Sequence, residues 1–320
     1  MTGKSVARYA RVALDIPGGE DFDYSFDEAL RAVLEPGAWV LVPWGRGRRI
    51  GLIAELVHDT PVALERIRPL IGPVEGAPRL PASWLTLVRF AASYYHRSFG
   101  EVALPAVPKL LRAVPGARAR GSPFERARQR GPSAVSAPDG GSAAAEPDRA
   151  PELTDPQHAA LQALQQADGF RVFLLHGVTG SGKTEVYLNW IARLLLRAPD
   201  AQALLLVPEI ALTPQLLSQV AARFPSHPVA VLHSELPDGE RASHWLAAAE
   251  GRARLVIGTR LAVFTPLPGL AGVVVDEEHD PSYKQQEGVR YSARDLAVAL
   301  AAQCRVPVVL GSATPSLETW

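Results

Sequence analysis

The sequence predicts an α/β protein in which a parallel sheet, covered by helices on both faces, follows a small mixed α/β or β-barrel-like unit. Three observations predict it. From Pro151 onward, short apolar runs alternate with amphipathic stretches, the pattern of strands buried on both faces and joined by crossover helices. One of these runs, Val172–Leu175, reads as a buried strand and breaks into Gly177-Val-Thr-Gly-Ser-Gly-Lys-Thr184, which fits the phosphate-loop pattern G-x-x-x-x-G-K-[ST]. Residues 1–111, by contrast, read as several strands, one tight turn and one helix.

Composition sets the outer bounds. The 320 residues are 47% hydrophobic and 21% charged, enough for at least one sizeable core and about two domains. No run approaches the roughly 18–20 apolar residues of a membrane span, so no membrane partner is expected. The opening MTGKSVARYARVALD lacks the apolar core of a secretory signal. The single cysteine, Cys304, excludes a disulfide framework and a cysteine-built zinc site within one chain. A soluble, cytoplasmic protein is the expectation. Net charge is zero, yet residues 1–130 hold 19 Lys+Arg against 13 Asp+Glu, and the remainder 14 against 20. A basic front joined to an acidic back hints at an anionic partner for the front.

In the first unit, Ala7–Asp15 and Trp39–Val42 read as strands, as does Arg49–Leu56 after the turn Pro43-Trp-Gly-Arg-Gly47. Pro81–Tyr95 puts Trp84, Leu85, Val88, Phe90 and Ala91 at helical spacing. Arg46, Arg48 and Arg49 beside Trp44 suit either a phosphate-and-stacking surface or a solvated hairpin tip with one packed aromatic. Apolar periodicity is then lost. Six arginines fall between Arg112 and Arg130, and a Pro/Gly/Ser/Ala tract follows. Residues 112–150 therefore read as a flexible linker with a basic arm, either a phosphate tracker or a soluble tether.

Beyond it, the expected strands are Val172–Leu175, Ala203–Val207, Val229–Leu232, Leu255–Ile257, Gly272–Val275 and Val306–Leu310. Glu185–Arg197 and Thr213–Phe224 are two of the intervening helices, the second opened by Thr213 as N-cap and Pro214 at the first position. Ligands on such sheets bind outside the carboxyl ends of the strands, where the phosphate loop falls. Gly177, Gly180 and Gly182, with Thr179 and Ser181 among them, let the backbone curl until its N–H groups face an anion. The following helix adds positive partial charge. Lys183 is placed to reach the β- and γ-phosphates and the Thr184 hydroxyl to ligate Mg²⁺, so ATP and Mg²⁺ are the expected cofactors.

Two further strand ends carry chemistry. Gly272-Val-Val-Val-Asp276-Glu277-Glu278-His279 is a buried strand ending in acids. Asp276 is placed to hold Mg²⁺, directly or through water, and Glu277 to polarise an attacking water. Val308-Val-Leu-Gly-Ser312-Ala313-Thr314-Pro315 is a buried strand ending in small hydroxyl residues.

Together and in this order, the three segments resemble motifs I, II and III of superfamily 2 helicases, which implies a RecA-like motor lobe over residues 151–320. GVTGSGKTEVY, LLLVPEIALTPQ, LHSELPDGER, IGTRLAVFTPL, DEEHDPSYKQQEGVRYSARDLA and LGSATPSLE resemble, more narrowly, the primosomal protein N′ family of replication-restart helicases. Phe22-Asp23-Tyr24, Gly37–Gly45 and Tyr94-Tyr95 resemble that family's domain for the 3′ end of a nascent strand, here residues 1–111.

The resemblance implies roles. Gln157 is placed like an adenine-reading glutamine. Pro208-Glu209-Ile210 and Gly258-Thr259-Arg260 match motifs lining a single-strand path, although Arg260 fits a structural turn equally well. His279, Ser312, Ala313 and Thr314 would couple nucleotide state to DNA grip. Tyr283, Lys284, Arg290 and Tyr291 match an aromatic-rich loop suited to stacking on unpaired DNA, or to packing on the surface. Asp23 matches the contact to the terminal nucleotide, and Tyr24, Trp44 and Arg46 are its expected companions. The implied function is an ATP-dependent 3′→5′ DNA helicase that recognises stalled or abandoned forks and initiates replication restart by primosome assembly. Its implied partners are forked and single-stranded DNA, the nascent 3′ end, single-strand DNA-binding protein and other primosome proteins. A fork-binding and scaffolding module without efficient hydrolysis is the second reading. Two departures stand out. The family's winged-helix domain falls where residues 112–150 are a short linker, and its second lobe, arginine finger and zinc-binding cysteines would lie beyond Trp320. A lobe that binds nucleotide and hydrolyses it poorly is therefore expected.

Overall fold

In the computed structural model, which describes residues 8–16, 21–114, 121–132 and 152–320, period-2 burial in the front and apolar runs in the back give two sheets of opposite kind. The described residues divide into two compact units. One holds those up to Gly131 together with Pro237–Leu246, the other holds the remainder.

The first unit is antiparallel. Strand β1 (Tyr9–Leu14) turns Ala10, Val12 and Leu14 into a core, and pairs on one side with β2 (Phe22–Ser25). β3 (Trp39–Trp44) and β4 (Gly47–Val57) form a hairpin whose two-residue turn needs positive φ at Gly45 (φ 56°). With β5 (Gly72–Pro73) the order is β2-β1-β4-β3-β5. One segment ties both edges together. Ser25 of β2 exchanges backbone hydrogen bonds with Arg68 and Leu70, and the next residue, Ile71, donates to Leu41 of β3. The sheet is thereby curled toward a barrel around Val40, Val42, Ile53 and Leu70. Helix α1 (Ala82–Tyr94) buries Trp84, Leu85, Val88 and Ala91. Phe90, expected on that face, is 41% exposed and stacks on Tyr94 instead, because it lies about 200° around the helix from Val88. Short helices α2 (Phe99–Ala103) and α3 (Lys109–Arg112) follow.

The linker reading needs correction. Pro123–Arg130 is a helix, α4, opened by a reciprocal cap between Ser122 and Glu125 with Pro123 in its first turn. Its Phe124 is fully buried, 5.5 Å from the Trp39 ring. One aromatic and a capping box order this stretch, signals too short for a periodicity argument. The tract from 133 to 150 lies outside the described residues. Pro237–Leu246, expected with the second unit, belongs with the first, where the buried Ser243 hydroxyl donates to the Ala127 carbonyl.

In the second unit α5 (Asp155–Gln165) precedes six parallel strands: β6 (Val172–His176), β7 (Gln202–Leu206), β8 (Val229–Leu232), β9 (Leu255–Gly258), β10 (Leu270–Val275) and β11 (Val308–Ser312), in the order β6-β11-β10-β7-β9-β8. Helices α6 (Lys183–Arg197), α7 (Pro214–Arg223) and α9 (Ala293–Cys304) alternate with them, whereas α8 (Asp238–Ala249), between β8 and β9 in the chain, belongs with the first unit up to Leu246. Trp190, Ile191 and Leu194 of α6 pack into the core, and the missing side chain of Gly272 lets Trp190 and Leu194 reach β10. β7, β8 and β9 are buried at every position, as their apolar runs require. β6 departs from expectation. It is an edge strand with Val172 44% exposed, since it pairs only with β11 among the described residues. The last strand begins two residues later than expected, because Val306 closes α9 through the Ala301 carbonyl, and this brings Ser312 inside the strand.

Candidate nucleotide site and nucleic-acid pocket

β6 ends at His176, and the chain curls through Gly177–Gly182 before α6 begins at Lys183. Gly180 and Gly182 take φ of 79° and 78°, the left-handed region that glycine enters without cost. A side chain at Gly182 would also collide with the Gln157 amide. That amide donates to the Ser181 carbonyl at 2.9 Å and accepts the Thr154 N–H at 2.9 Å, so Gln157 ties the start of α5 to the loop. Among the described residues, the N–H groups of Gly180, Gly182, Lys183 and Thr184 have no carbonyl acceptor. Unpaired N–H groups on a curled loop at a helix N-terminus fit a polyphosphate.

The sheet order brings β10 and β11 beside this loop. Lys183, buried, bonds the Gly177 carbonyl at 2.9 Å and stands 3.5 Å from the Glu277 carboxylate. Glu277 adopts φ 44°, a costly conformation for a residue with a side chain, and its N–H donates to Asp276 Oδ1 at 3.0 Å. Asp276 is gripped further: the Tyr187 hydroxyl donates to the same Oδ1 at 3.1 Å, and the Tyr283 hydroxyl donates to its carbonyl at 2.6 Å. Oδ2 accepts no hydrogen bond among the described residues. Burial, and next the Glu277 charge, push the Asp276 carboxyl up, while Tyr187, the Glu277 N–H and Lys183 act the other way. A carboxylate oxygen free on a half-buried aspartate, together with the Thr184 hydroxyl, is a hard donor set suited to Mg²⁺ completed by phosphate and water.

His279 Nδ1 lies 2.7 Å from Ser312 Oγ and 3.7 Å from Glu277. Ser312 Oγ accepts the Thr314 N–H, and the Ala313 carbonyl lies 3.3 Å from His176 Nε2. The ends of three strands, β6, β10 and β11, therefore form one bonded patch, although His176 and Ala313 are 137 residues apart in sequence.

Sequence reasoning missed two residues here. Tyr187 closes the stretch GVTGSGKTEVY, but that resemblance gives it no role of its own. Glu278 sits beside the catalytic-looking acids, yet its side chain is fully buried and bonds Arg294 at 3.1 Å, the Ser316 N–H at 2.8 Å and the Thr319 hydroxyl at 2.9 Å. Burial would raise its carboxyl, but these donors outweigh it and hold it below the usual range.

The expected single-strand contacts divide. Lys284 and Arg290 are exposed, whereas Tyr283 and Tyr291 are buried and present no ring face for a base. Tyr283 holds Asp276, and Tyr291 packs edge-on to Phe264 at 5.0 Å. Aromatics beside a buried strand end gain more by packing there than by standing in water. Arg260 bonds Gln285 at 2.6 Å and the Ser282 carbonyl at 3.3 Å, and pairs with Glu209 at 3.5 Å, so it pins the loop after Asp276.

The first unit has its own pocket, a cavity of about 470 Å³ at the end of the barrel, lined by Asp21, Asp23, Tyr24, Trp44, Arg66 and Arg68 among others. Asp23 is only 4% exposed in its side chain, oriented by Arg11 at 3.0 Å and by the Thr60 hydroxyl at 2.7 Å. Tyr24 is a buried wall whose hydroxyl donates to the Pro43 carbonyl. Trp44 packs edge-on to Phe22 at 4.8 Å. Arg46 lies exposed at the hairpin tip and does not line this pocket. Asp21, which no motif pointed to, has an Oδ1 without a partner among the described residues, and burial pushes its carboxyl up to about 6.

Two family signatures match the chain: the PriA 3′DNA-binding domain (3′BD) over residues 11–108, and the DEAD/DEAH box helicase over residues 154–320. Along 98% of its length the chain is 32% identical to the replication restart protein PriA of Haemophilus influenzae, of which it covers 50%. It is 34% identical to that of Treponema pallidum, again along 98% of its length and covering 45% of that protein. With the Bacillus subtilis counterpart it shares 48% identity over 52% of this chain and 21% of that one. The chain thus spans about half the length of the curated relatives it matches along its whole extent.

Proposed function

The chain belongs to the DEAD/DEAH box helicase family and carries the PriA-type 3′DNA-binding domain ahead of its helicase domain, and on that premise we propose that it is the fork-recognising and first motor portion of an ATP-dependent 3′→5′ DNA helicase that restarts stalled or abandoned forks. Its partners on this reading are forked and single-stranded DNA with a nascent 3′ end, single-strand DNA-binding protein and other primosome proteins, in the cytoplasm. No described helix is long and apolar enough to cross a membrane. One observation carries the reading: a loop of unpaired N–H groups, a buried lysine and two strand-end acids converge, with Lys183 3.5 Å from Glu277.

The division of labour follows from the groups. The N–H groups of Gly180, Gly182, Lys183 and Thr184 would bind the phosphates, and Lys183 would neutralise charge on the transferred phosphoryl. Thr184 and Asp276 would hold Mg²⁺, which when bound offsets the charge building on the phosphate oxygens. Glu277, beside Lys183, would orient the attacking water and take its proton. His279 and Ser312, sharing one hydrogen bond, would report the state of Glu277 to the strand end at Thr314. In the first unit, Asp23 and Asp21 would accept a hydrogen bond from a terminal 3′-hydroxyl. A hydroxyl can donate to these acids and an ionised 3′-phosphate cannot, so the pocket would select for an extendable end.

The test is binding of a fluorescent ATP analogue, DNA-stimulated hydrolysis, and affinity for forks whose leading strand does or does not end in a 3′-hydroxyl. Lys183→Ala should lose nucleotide binding. Glu277→Gln should keep binding and lose any hydrolysis by about 10²-fold or more. Asp23→Asn should erase preference for the 3′-hydroxyl fork. If the parent protein ignores the 3′ end, fork-end recognition is refuted and only a generic motor lobe stands.

A further inference from the structure

Trp44 also lines a second cavity, of about 400 Å³, together with Arg48, Arg49, Lys109, Arg112 and Asp15 among others. Its charge is opposite in character to the acids of the first. Asp15, the only carboxylate lining it among the described residues, is taken by Arg112, which is also pinned through Nε to the Val107 carbonyl at 2.9 Å. Arg48, Arg49 and Lys109 are exposed and have no carboxylate partner among the described residues. Arg48 and Arg49 come from the start of β4 and Lys109 from the start of α3, so two elements present cations to one groove. Cations held at such a groove without counter-charges attract a polyanion.

We propose that this groove binds the phosphodiesters immediately 5′ of the terminal nucleotide, so that Trp44 is a partition between a 3′-hydroxyl pocket and a backbone pocket. The proposal rests on the 3′-end reading of the first pocket. Chemistry assigns the direction: Asp21 and Asp23 in the first cavity can accept a proton that only a hydroxyl end offers, while Arg48, Arg49 and Lys109 favour phosphate. A strand ending at Asp21 and Asp23 and crossing the Trp44 ring would therefore lay its backbone on Arg48, Arg49 and Lys109. The indole offers a face on which a base can stack regardless of sequence.

The experiment uses the full chain and 5′-fluorescein single strands ending in a 3′-hydroxyl or a 3′-phosphate, titrated over a range of salt. The triple variant Arg48→Ala/Arg49→Ala/Lys109→Ala should bind about tenfold more weakly at low salt. Its salt slope should be flatter by about 2, at roughly 0.7 per phosphate contact on single strands. Its preference for the 3′-hydroxyl strand should be unchanged. Neutral methylphosphonate linkages next to the 3′ end should weaken the parent protein and leave the triple variant unaffected. An unchanged slope overturns the proposal, as does a methylphosphonate penalty that persists in the variant. Loss of the 3′-hydroxyl preference in the triple variant also overturns it, since these residues would then serve the acid pocket. A parent protein without that preference refutes the 3′-end reading alone, because the slope still reports whether the groove holds phosphodiesters.

Discussion

Replacing Gly311 by alanine tests whether the buried tyrosine of α6 sets the aspartate of the nucleotide site. Gly311 lies in β11 with ordinary extended backbone, so alanine is conformationally acceptable there. The obstacle is spatial. A Cβ would stand 2.6 Å from Tyr187 Cζ, closer still to its hydroxyl, and 3.4 Å from Asp276 Oδ1. Tyr187 is fully buried, so its ring can retreat only by disturbing α6, and the 3.1 Å hydrogen bond to Asp276 breaks. Losing a hydrogen bond to a charged group costs about 1.5–3 kcal/mol, and overpacking a core adds about 1–3 kcal/mol. Gly311→Ala should therefore destabilise the protein by about 2.5–6 kcal/mol. Tyr187→Phe, which removes the hydroxyl and little else, should cost about 1.5–3 kcal/mol. In a double-mutant cycle by denaturant unfolding, the alanine should cost less in the Phe background, because the hydrogen bond is already gone. Strictly additive costs, or a Gly311→Ala penalty below about 1 kcal/mol, would refute this account.

Other outcomes follow from the same geometry. Arg294→Ala leaves the fully buried Glu278 carboxylate without its cation, and should cost about 3 kcal/mol in denaturant unfolding, softened by the remaining Ser316 and Thr319 donors. Asp21 ionises near 3.8 when unfolded and about 6 when folded, so the folded protein holds an extra proton between those values. Stability from Asp21 is therefore full below pH 4 and lost as pH rises through 6, and Asp21→Asn should flatten that fall when unfolding midpoints are compared from pH 4 to 7.

Much of the candidate nucleotide site was readable in one dimension because its chemistry is local. The glycine spacing from 177 to 182, the lysine after it, and acids directly after three valines are each fixed by a strand meeting a loop. The sheet order could not be read that way. That β6 lies beside β11, with β10 next, is what brings Lys183 to Glu277 and His279 to Ser312.

Side-chain direction was also hidden, for a physical reason. Tyr283 and Tyr291 alternate with bases as a stacking surface would, but whether a ring faces water or a strand end depends on what the fold packs beside it. Asp21 and Arg48 needed the barrel to curl before they faced a cavity, and Phe124 needed Trp39 to make α4 more than a basic arm. The sequence by itself determined strand and helix types, the glycine loop ahead of α6 and the acidic strand end, because these depend on neighbours a few residues away. Only the tertiary structure decided which cations lack a partner, which acids are gripped and which aromatics are buried, because those depend on groups brought together from distant parts of the chain.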